Sequence, residues 1–259
     1  MKKTTRLLCG LLCAVLLLSV LAGCSKKSEK LVVGTDTSYM PFEYLDTATN
    51  QYVGFDIDLI KEIAAIVGFE YELKPMDFNG LLTALQTKQI DIAIAGITIK
   101  DERKEMADFS LPYYDAGLYI LVQEGNTDIL SVDDLKGKVV ATKTGTSAYD
   151  YITESIAGLG ELVHFPNIDQ AFMELEKGAC DAVIFDSPNL LYYAANEGKG
   201  KVKVVGDLMY GNQFGIALRK GDDPKMLSDI NDALTKLMEN GKYDELYLKW
   251  FGTTPPAKG

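Results

Sequence analysis

Residues 91–95 read Asp-Ile-Ala-Ile-Ala, and residues 181–185 read Asp-Ala-Val-Ile-Phe. Each stretch is a short apolar run opened by an aspartate, a pattern typical of a buried strand. A leucine stands six residues before each aspartate, and a polar turn follows each run, at residues 98–101 and 186–188. The repeated pattern predicts two related strand–helix units and therefore a chain of two similar lobes. The alternative is that two unrelated units share common strand–helix chemistry.

The rest of the chain alternates in the same way between apolar strands and helices. The pattern predicts strands at residues 31–33, 90–95, 139–141 and 182–185, and helices at 59–67, 81–85 and 168–177. Ser187-Pro188 and Asp223-Pro224 each predict an N-cap followed by proline at the first helical position. Such alternation predicts an α/β protein with mainly parallel sheets. Because ligands of open α/β sheets bind beyond the carboxyl ends of strands, both polar turns are candidate ligand surfaces.

The composition excludes several classes of function. The 259 residues carry 26 Lys and Arg against 37 Asp and Glu, a net charge of −11. A chain this acidic lacks the basic surface of a nucleic-acid-binding protein. His164 is the only histidine, which excludes a multi-histidine metal site. The sequence contains neither a GxSxG motif nor a Cys/His pair, so we expect a protein that is not an enzyme. We also expect no metal and no cofactor.

The N-terminus has the pattern of an export signal. Three basic residues within the first six precede an apolar run over residues 7–22. This run is slightly short of the roughly 20 residues of a transmembrane anchor, which is the alternative interpretation. It ends in Leu-Ala-Gly-Cys at residues 21–24, which resembles the lipobox of bacterial lipoproteins. The resemblance implies cleavage before Cys24 and lipid attachment to its sulfur.

We therefore predict a signal peptide at residues 1–23 and a lipidated tether at residues 24–30. Two cysteines leave with the signal and Cys24 carries lipid, so Cys180 remains alone and we expect no intrachain disulfide. Cys180 lies beside an apolar run, which favours a packing role over a nucleophilic one. A lipid tether suits a cell without an enclosing periplasm. We expect the extracellular face of a Gram-positive cell membrane, or the periplasmic side in a Gram-negative cell.

The first polar turn contains a candidate carboxylate receptor. Thr98 and Asp101 have the spacing of a capping box, which predicts Thr98 at a helix N-cap and Arg103 one turn inside. A helix start offers free N–H groups, and Arg103 adds a planar two-pronged donor for a carboxylate. The alternative is that Arg103 is one more solvated cation beside Lys100 and Lys104.

The second lobe offers further candidates. Residues 144–147 follow a predicted strand and present hydroxyl and backbone N–H groups, but they lack the lysine and spacing of a nucleotide-binding loop. Lys143 could donate to a ligand carbonyl or be a solvated lysine at a strand end. Asp186 could hold an ammonium group or only cap its strand. Aromatic residues beside polar ones are typical of small-molecule pockets, and the candidates are Tyr39, Phe78 and Phe185.

Ordered motifs connect these candidates along the chain. They include Gly-Phe-Asp-Ile-Asp-Leu at 54–59, Ala-Gly-Ile-Thr-Ile at 95–99, Pro-Tyr-Tyr at 112–114 and Lys-Trp-Phe-Gly at 249–252. With these motifs the chain resembles the bacterial extracellular solute-binding proteins for polar amino acids, which serve ATP-binding-cassette (ABC) importers. The resemblance extends over residues 31–252. It implies a small-molecule amino-acid ligand, the membrane subunits of an importer as partners, and a monomer.

Within the family the resemblance is greatest to the glutamine-binding members, through residues 71–78, 165–169 and 186–189. It implies that Arg103 binds the ligand α-carboxylate with help from Thr98 and the backbone of Gly96, and that Asp186 binds the α-ammonium. A zwitterion needs such a cation and anion at a fixed separation, and a buried unpaired charge is costly.

The same resemblance implies roles around the ligand side chain. Tyr39 and Phe78 would flank its aliphatic part, Asp36 would accept from its amide while Lys143 donates to its carbonyl, and Thr146 and Ser147 would close the site. Phe185 stands where the glutamine-binding members have histidine, and Ser147 where they have glycine. Like-charge repulsion from Lys143 disfavours arginine and lysine as ligands. Glutamine is therefore expected first, then glutamate and other neutral polar amino acids.

The implied architecture is a two-lobed periplasmic-binding-protein fold with two connecting strands. Lobe one comprises residues 31–113 plus 215–252, lobe two comprises residues 118–209, and residues 253–259 form a tail. Hinges are expected at residues 113–117 and 210–214. Contacts from both lobes would then stabilise a closed form around the ligand.

Two other functions stay open at this point. One is amino-acid binding for sensing or adhesion without transport, which requires the same ligand site. The other is a dehydratase-type enzyme, because a few relatives of this fold are dehydratases.

Overall fold

The computed structural model describes residues 30–256, so the predicted signal peptide, Cys24 and the last three residues of the tail lie outside it. The strands are β1 (Leu31–Thr35), β2 (Ser38–Tyr39), β3 (Glu43–Asp46), β4 (Gln51–Val53), β5 (Tyr71–Pro75), β6 (Ile92–Ala93), β7 (Ala107–Phe109), β8 (Tyr114–Gln123), β9 (Val139–Lys143), β10 (Glu161–Phe165), β11 (Ala182–Asp186), β12 (Val202–Phe214) and β13 (Ala217–Arg219). The α-helices are α1 (Phe55–Val67), α2 (Leu81–Gln86), α3 (Asp101–Lys104), α4 (Ser147–Ser155), α5 (Ile168–Lys177), α6 (Ser187–Ala195), α7 (Pro224–Glu239) and α8 (Lys242–Phe251).

Two five-stranded sheets form the two lobes. The first sheet has the order β5-β1-β6-β13-β7 and the second the order β10-β9-β11-β8-β12. In both sheets a parallel core is extended by antiparallel strands: β13 on β6 in the first, and β8 on β11 in the second. A small antiparallel sheet, β2-β3-β4, accompanies the first lobe.

The expectation of mainly parallel sheets is wrong, because the sheets are mixed. The reason lies in the connections. The long strands β8 and β12 run antiparallel to each other, pairing Gln213 with Asp115 and Phe214 with Tyr114. They lead into and out of the second sheet, and the chain then returns to the first sheet as β13.

The local signals at helix ends were mostly reliable. The helix at 168–177 is confirmed, and Gly68 ends α1 in a left-handed conformation with φ of 88°. Asp223 caps α7 by accepting from the backbone N–H of Met226 at 2.8 Å. The cap predicted at Ser187 is shifted by one residue, because Asp186 occupies the N-cap position of α6.

An aromatic cluster fills the junction of the two lobes. Phe42, Phe55 and Phe214 are fully buried, and the rings of Phe42 and Phe214 lie 5.6 Å apart, edge to face. Tyr114 stacks on Phe214 at 5.8 Å, and Phe251 from the last helix packs against Phe55 at 5.3 Å. Offset and edge-to-face contacts of this kind stabilise a core beyond the area they bury. The cluster therefore packs the first lobe against the ends of β8 and β12, where the chain crosses between the lobes.

Two further observations concern single features of the chain. Cys180 is buried, as its apolar surroundings predict, and burial raises the pKa of its thiol to about 12. A thiol with so high a pKa is a poor nucleophile at neutral pH. Within residues 30–256, no helix is both long and apolar enough to cross a membrane.

Candidate functional site

A narrow cavity of about 10 Å³ lies where the two sheets face each other. All eleven residues singled out from the sequence line it, together with Ala95, which the sequence analysis missed. The lining residues are Asp36, Tyr39, Phe78, Ala95, Gly96, Thr98, Arg103, Lys143, Thr146, Ser147, Phe185 and Asp186.

Most of the polar lining follows or ends a strand. Asp36 follows β1 and Gly96 lies just beyond β6 in the first lobe, while Lys143 ends β9 and Asp186 ends β11 in the second. The carboxyl ends of parallel strands meet at one edge of a sheet, which is where open α/β sheets bind ligands. The two sheets therefore present these edges to each other across the cavity.

Arg103 is the buried cation of the first lobe. Its Nη1 donates to the carbonyl of Thr98 at 3.0 Å, and its Nη2 donates to the carbonyl of Gly145 at 3.1 Å across the lobes. The guanidinium also lies 5.4 Å from the ring centre of Phe78, a cation–π distance. The side chain is 9% exposed, and burial lowers its pKa. The interpretation of Arg103 as a solvated cation is therefore wrong.

The capping box predicted at Thr98 is wrong in its details. Lys100, not Thr98, occupies the N-cap of the four-residue helix α3. Thr98 instead forms an isolated antiparallel bridge with Phe214, and its Oγ1 lies 3.2 Å from Oγ of Ser147 in the other lobe. The spacing of Thr98 and Asp101 is that of a capping box, but backbone pairing to the crossing strand holds Thr98 in extended conformation.

Asp186 is the buried anion of the second lobe. Its Oδ2 accepts a hydrogen bond from the hydroxyl of Tyr39 at 3.1 Å, while its Oδ1 has no partner among the described residues. Burial raises the pKa of Asp186 to about 6, although the Tyr39 hydrogen bond and the charges of Arg103 and Lys143 oppose the shift. Its side chain makes no capping hydrogen bond to α6, although the residue stands at that N-cap.

Asp36 and Lys143 form a buried ion pair between the lobes. They are only 2% and 1% exposed. Burial raises the pKa of Asp36, and the attraction of Lys143 opposes this effect. The Lys143 Nζ also lies 5.6 Å from the ring centre of Phe78. Together with Arg103 and Asp186, this pair gives the cavity two positive and two negative side chains.

The remaining lining residues complete the walls. Thr146 caps α4 by accepting from the backbone N–H of Tyr149 at 3.3 Å, and its hydroxyl donates to the carbonyl of Lys143 at 2.8 Å. The rings of Tyr39 and Phe185 meet edge to face at 5.8 Å. The arrangement combines aromatic surface with a few fixed polar groups, which is typical of a site for a small polar molecule.

Sequence reasoning missed the contacts that join the lobes around this cavity. Lys100 pairs with Asp150 at 2.6 Å, Ser38 donates to Asp169, and Asn189 Nδ2 donates to the carbonyl of Met40 at 2.6 Å. These partners lie 50 to 149 residues apart in the chain. Neither helical nor strand periodicity relates residues at such separations, so no local signal could have found them.

The sequence matches that of known proteins along almost the whole described chain. The family of bacterial extracellular solute-binding proteins, family 3, matches residues 31–253. The chain is 36% identical over 235 residues to the ABC transporter glutamine-binding protein GlnH of Bacillus subtilis (strain 168), covering 89% of this chain and 84% of that one. It is 32% identical over 228 residues to the L-cystine-binding protein TcyJ of Escherichia coli (strain K12), covering 88% and 84%.

Solved structures agree with the sequence comparison. An ancestral arginine-binding protein, solved with arginine and with glutamine, is 43% identical with a TM-score of 0.81, covering 86% of this chain and 98% of that one. The two-lobed periplasmic-binding-protein fold expected from the sequence is thereby confirmed. The chain belongs to family 3 of the bacterial extracellular solute-binding proteins.

Proposed function

We propose that this protein binds a polar amino acid, glutamine first, between its two lobes and delivers it to the membrane subunits of an ABC importer. The observation that carries the proposal is the presence of Arg103 on one wall of the cavity and Asp186 on the other. An amino-acid head group carries one negative and one positive charge, and each needs a partner of opposite sign when buried. Arg103 would bind the α-carboxylate and Asp186 the α-ammonium.

The charge of the cavity favours a neutral ligand side chain. Asp36 and Lys143 have opposite charges and form an ion pair. Arg103 and Asp186 also have opposite charges, so these four lining side chains have no net charge. A zwitterion without side-chain charge keeps this balance, whereas arginine or lysine would add a positive charge beside Lys143. A carboxamide has both a donor and an acceptor, so it can insert between Asp36 and Lys143 and hydrogen-bond to each.

The relatives support an amino-acid ligand without fixing which one. Their names include glutamine-binding and cystine-binding proteins, and the ancestral relative was solved with both arginine and glutamine. Arginine is therefore the competing ligand. Like the carboxamide, a guanidinium would have to separate Lys143 from Asp36 to reach the carboxylate, but it would also leave two positive charges side by side.

The ligand is tested by thermal denaturation of residues 25–259 with each of the twenty amino acids, after removal of any co-purified ligand. A ligand at 100 times its dissociation constant adds about 2.7 kcal/mol of stability. We expect the largest shift with glutamine. A larger shift with arginine would overturn the preference for glutamine, and no shift with any amino acid would overturn the proposed function.

The side-chain roles are tested by calorimetric titration of Lys143→Ala. The variant should lose far more affinity for glutamine than for alanine, because only glutamine has a side-chain carbonyl to which Lys143 can donate. Lys136→Ala is the matched control, since Lys136 is exposed and does not line the cavity. Equal losses for both ligands would contradict the side-chain role.

We also propose that lipid on Cys24 holds the protein at the outer face of the cell membrane. The sequence at residues 21–24 supports this anchor, and stable anchoring needs more than one acyl chain. Cys24→Ser should move the protein from the membrane fraction to the medium. Loss of glutamine uptake in the same strain would support transport, whereas unchanged uptake would favour a sensing role.

A further inference from the structure

Two carboxyl groups lie buried directly behind the ligand cavity. Glu43 belongs to β3 and Asp56 to the first turn of α1, and both side chains are fully buried. Within residues 30–256 neither forms an ion pair with a lysine or arginine. Lys143 is the cation that acts on Glu43 electrostatically, but it is already paired with Asp36. Two buried carboxylates without a cation would be strongly unfavourable.

The hydrogen bonds of this pair are incomplete if both groups are ionised. Asp56 Oδ2 accepts from the backbone N–H of Gly96 at 2.9 Å and from the hydroxyl of Tyr113 at 2.8 Å. Asp56 Oδ1 and both Glu43 oxygens then have no partner among the described residues. The backbone N–H of Asp56 donates to the carbonyl of Phe42 at 2.9 Å, which brings Glu43 beside Asp56. A proton on Glu43 supplies the missing donor, because the two carboxyl groups interact with each other. Buried polar atoms are nearly always hydrogen-bonded.

We propose that Glu43 and Asp56 share one proton at neutral pH, and that this protonated pair, with Tyr113 as a further donor to Asp56, positions Gly96 at the ligand cavity. Gly96 is held from both sides. Its N–H donates to Asp56, and Tyr39 packs so closely on its other face that an added Cβ would lie 2.3 Å from the ring. Tyr39 in turn donates to Asp186 across the lobes.

The electrostatic surroundings favour the proton on Glu43. Burial and the charges of Asp56 and Asp36 raise the pKa of Glu43 well above its usual range, and only Lys143 opposes them. Burial raises the pKa of Asp56 to about 7, while the Gly96 and Tyr113 hydrogen bonds oppose the shift. The hydroxyls of Tyr39, Tyr113 and Tyr243 are the other titratable groups that interact with the pair.

The direction in which stability changes with pH follows from the number of protons that the folded and unfolded chains bind. The unfolded chain releases the proton of Glu43 near pH 4.3, an approximate value for a free glutamate. The folded chain keeps that proton to a much higher pH, so above pH 5 it holds more protons than the unfolded chain. Stability therefore falls as the pH rises, by up to about tenfold in the folding equilibrium constant per pH unit per proton.

The test compares the unliganded wild-type protein with Glu43→Gln in urea unfolding between pH 6 and 9. Glutamine has the shape of protonated glutamate and donates to Asp56, so we expect the variant to lose most of the alkaline destabilisation. Glu72→Gln, at an exposed position in β5, should follow the wild-type profile. Identical profiles for Glu43→Gln and wild type would overturn the proposal.

An infrared measurement on the wild-type protein decides the question if Glu43→Gln fails to fold. The spectrum at pH 8 should contain the carbonyl band of a protonated carboxylic acid, since ordinary carboxyl groups are ionised there. Absence of this band would overturn the proposal.

The effect on ligand binding rests on the proposed function and is measured separately. Between pH 7 and 8.5 the affinity of the wild-type protein for glutamine should fall relative to that of Glu43→Gln. A retained proton without any amino-acid binding would refute the proposed function alone. A lost infrared band with intact binding would refute the carboxyl pair alone.

Discussion

The two strand–helix units that begin at Asp91 and Asp181 use these aspartates in the same way. In the first lobe Asp91 exchanges two hydrogen bonds with Val32 of β1: its N–H donates at 2.8 Å and its Oδ2 accepts at 2.7 Å. In the second lobe Asp181 exchanges the same two bonds with Val139 of β9, at 2.8 and 2.7 Å. Each aspartate thus fixes its strand against the neighbouring parallel strand.

The same two units differ at their other ends. The first runs from β6 into Gly96 and Thr98 and brings the cation Arg103 to the cavity, whereas the second ends β11 in the anion Asp186. The repeated pattern therefore belongs to the scaffold, and the residues after the strands determine the charge of the site. Two similar lobes become complementary because their strand ends differ.

Removing the cation of the first unit should have the largest effect. Loss of one partner from a buried charge pair costs about 2–5 kcal/mol, so Arg103→Ala should weaken amino-acid binding by about 30-fold or more. Titration calorimetry measures the loss, and circular dichroism verifies the fold. Lys104→Ala, next to it on the exposed side of α3, should bind normally. Unchanged amino-acid affinity in Arg103→Ala would contradict the proposal that the first unit binds the ligand carboxylate.

Removing the anion of the second unit should also change the pH dependence of binding. Because burial raises the pKa of Asp186 to about 6, acidification below that value neutralises the ammonium partner. The wild-type affinity should fall by up to about tenfold per pH unit below pH 6. Asp186→Asn should bind weakly at pH 7, and Asp232→Asn, at an exposed position, should behave as wild type. A flat wild-type profile from pH 7 to 5 would contradict the role of Asp186.

The scaffold aspartates should affect stability and leave ligand affinity almost unchanged. Asp91→Ala and Asp181→Ala each remove an acceptor from a backbone N–H, which costs about 1–3 kcal/mol. The loss should be larger for Asp91, because it also accepts from Arg219 at 2.6 Å. Urea unfolding measures both losses. A greater effect on ligand affinity than on the free energy of unfolding would show that these aspartates also contribute to the ligand site.

The ion pair between Lys100 and Asp150 should have the smallest effect. It joins the lobes at 2.6 Å, but the Asp150 side chain is 41% exposed. Pairs with this exposure contribute about 0.2–1 kcal/mol, so Lys100→Ala should weaken binding by less than about tenfold and reduce its salt dependence. Lys225→Ala breaks an exposed pair within α7 and should change neither property. A loss of affinity greater than about tenfold would mean that this contact between the lobes, rather than the cavity residues, determines how stable the closed form is.

Local patterns predicted much of the fold correctly. The helix expected near residues 168–177 is α5, and the Asp-Pro signal located the start of α7. The spacing at Thr98 failed, although it had the form of a capping box. There the backbone bridge to Phe214, which is distant in sequence, outweighs the local preference.

The sequence by itself determined the apolar strands, most helix ends and the family, because these depend on neighbouring residues or on ordered motifs. It also marked eleven positions as candidates for one site. Only the tertiary structure decided that Asp36 pairs with Lys143, 107 residues away, and that Glu43 lies beside Asp56 with no ion pair to a described lysine or arginine. Charge pairing and burial depend on which distant segments come into contact. A periodicity of two or 3.6 residues relates only neighbouring residues, so it cannot predict those contacts.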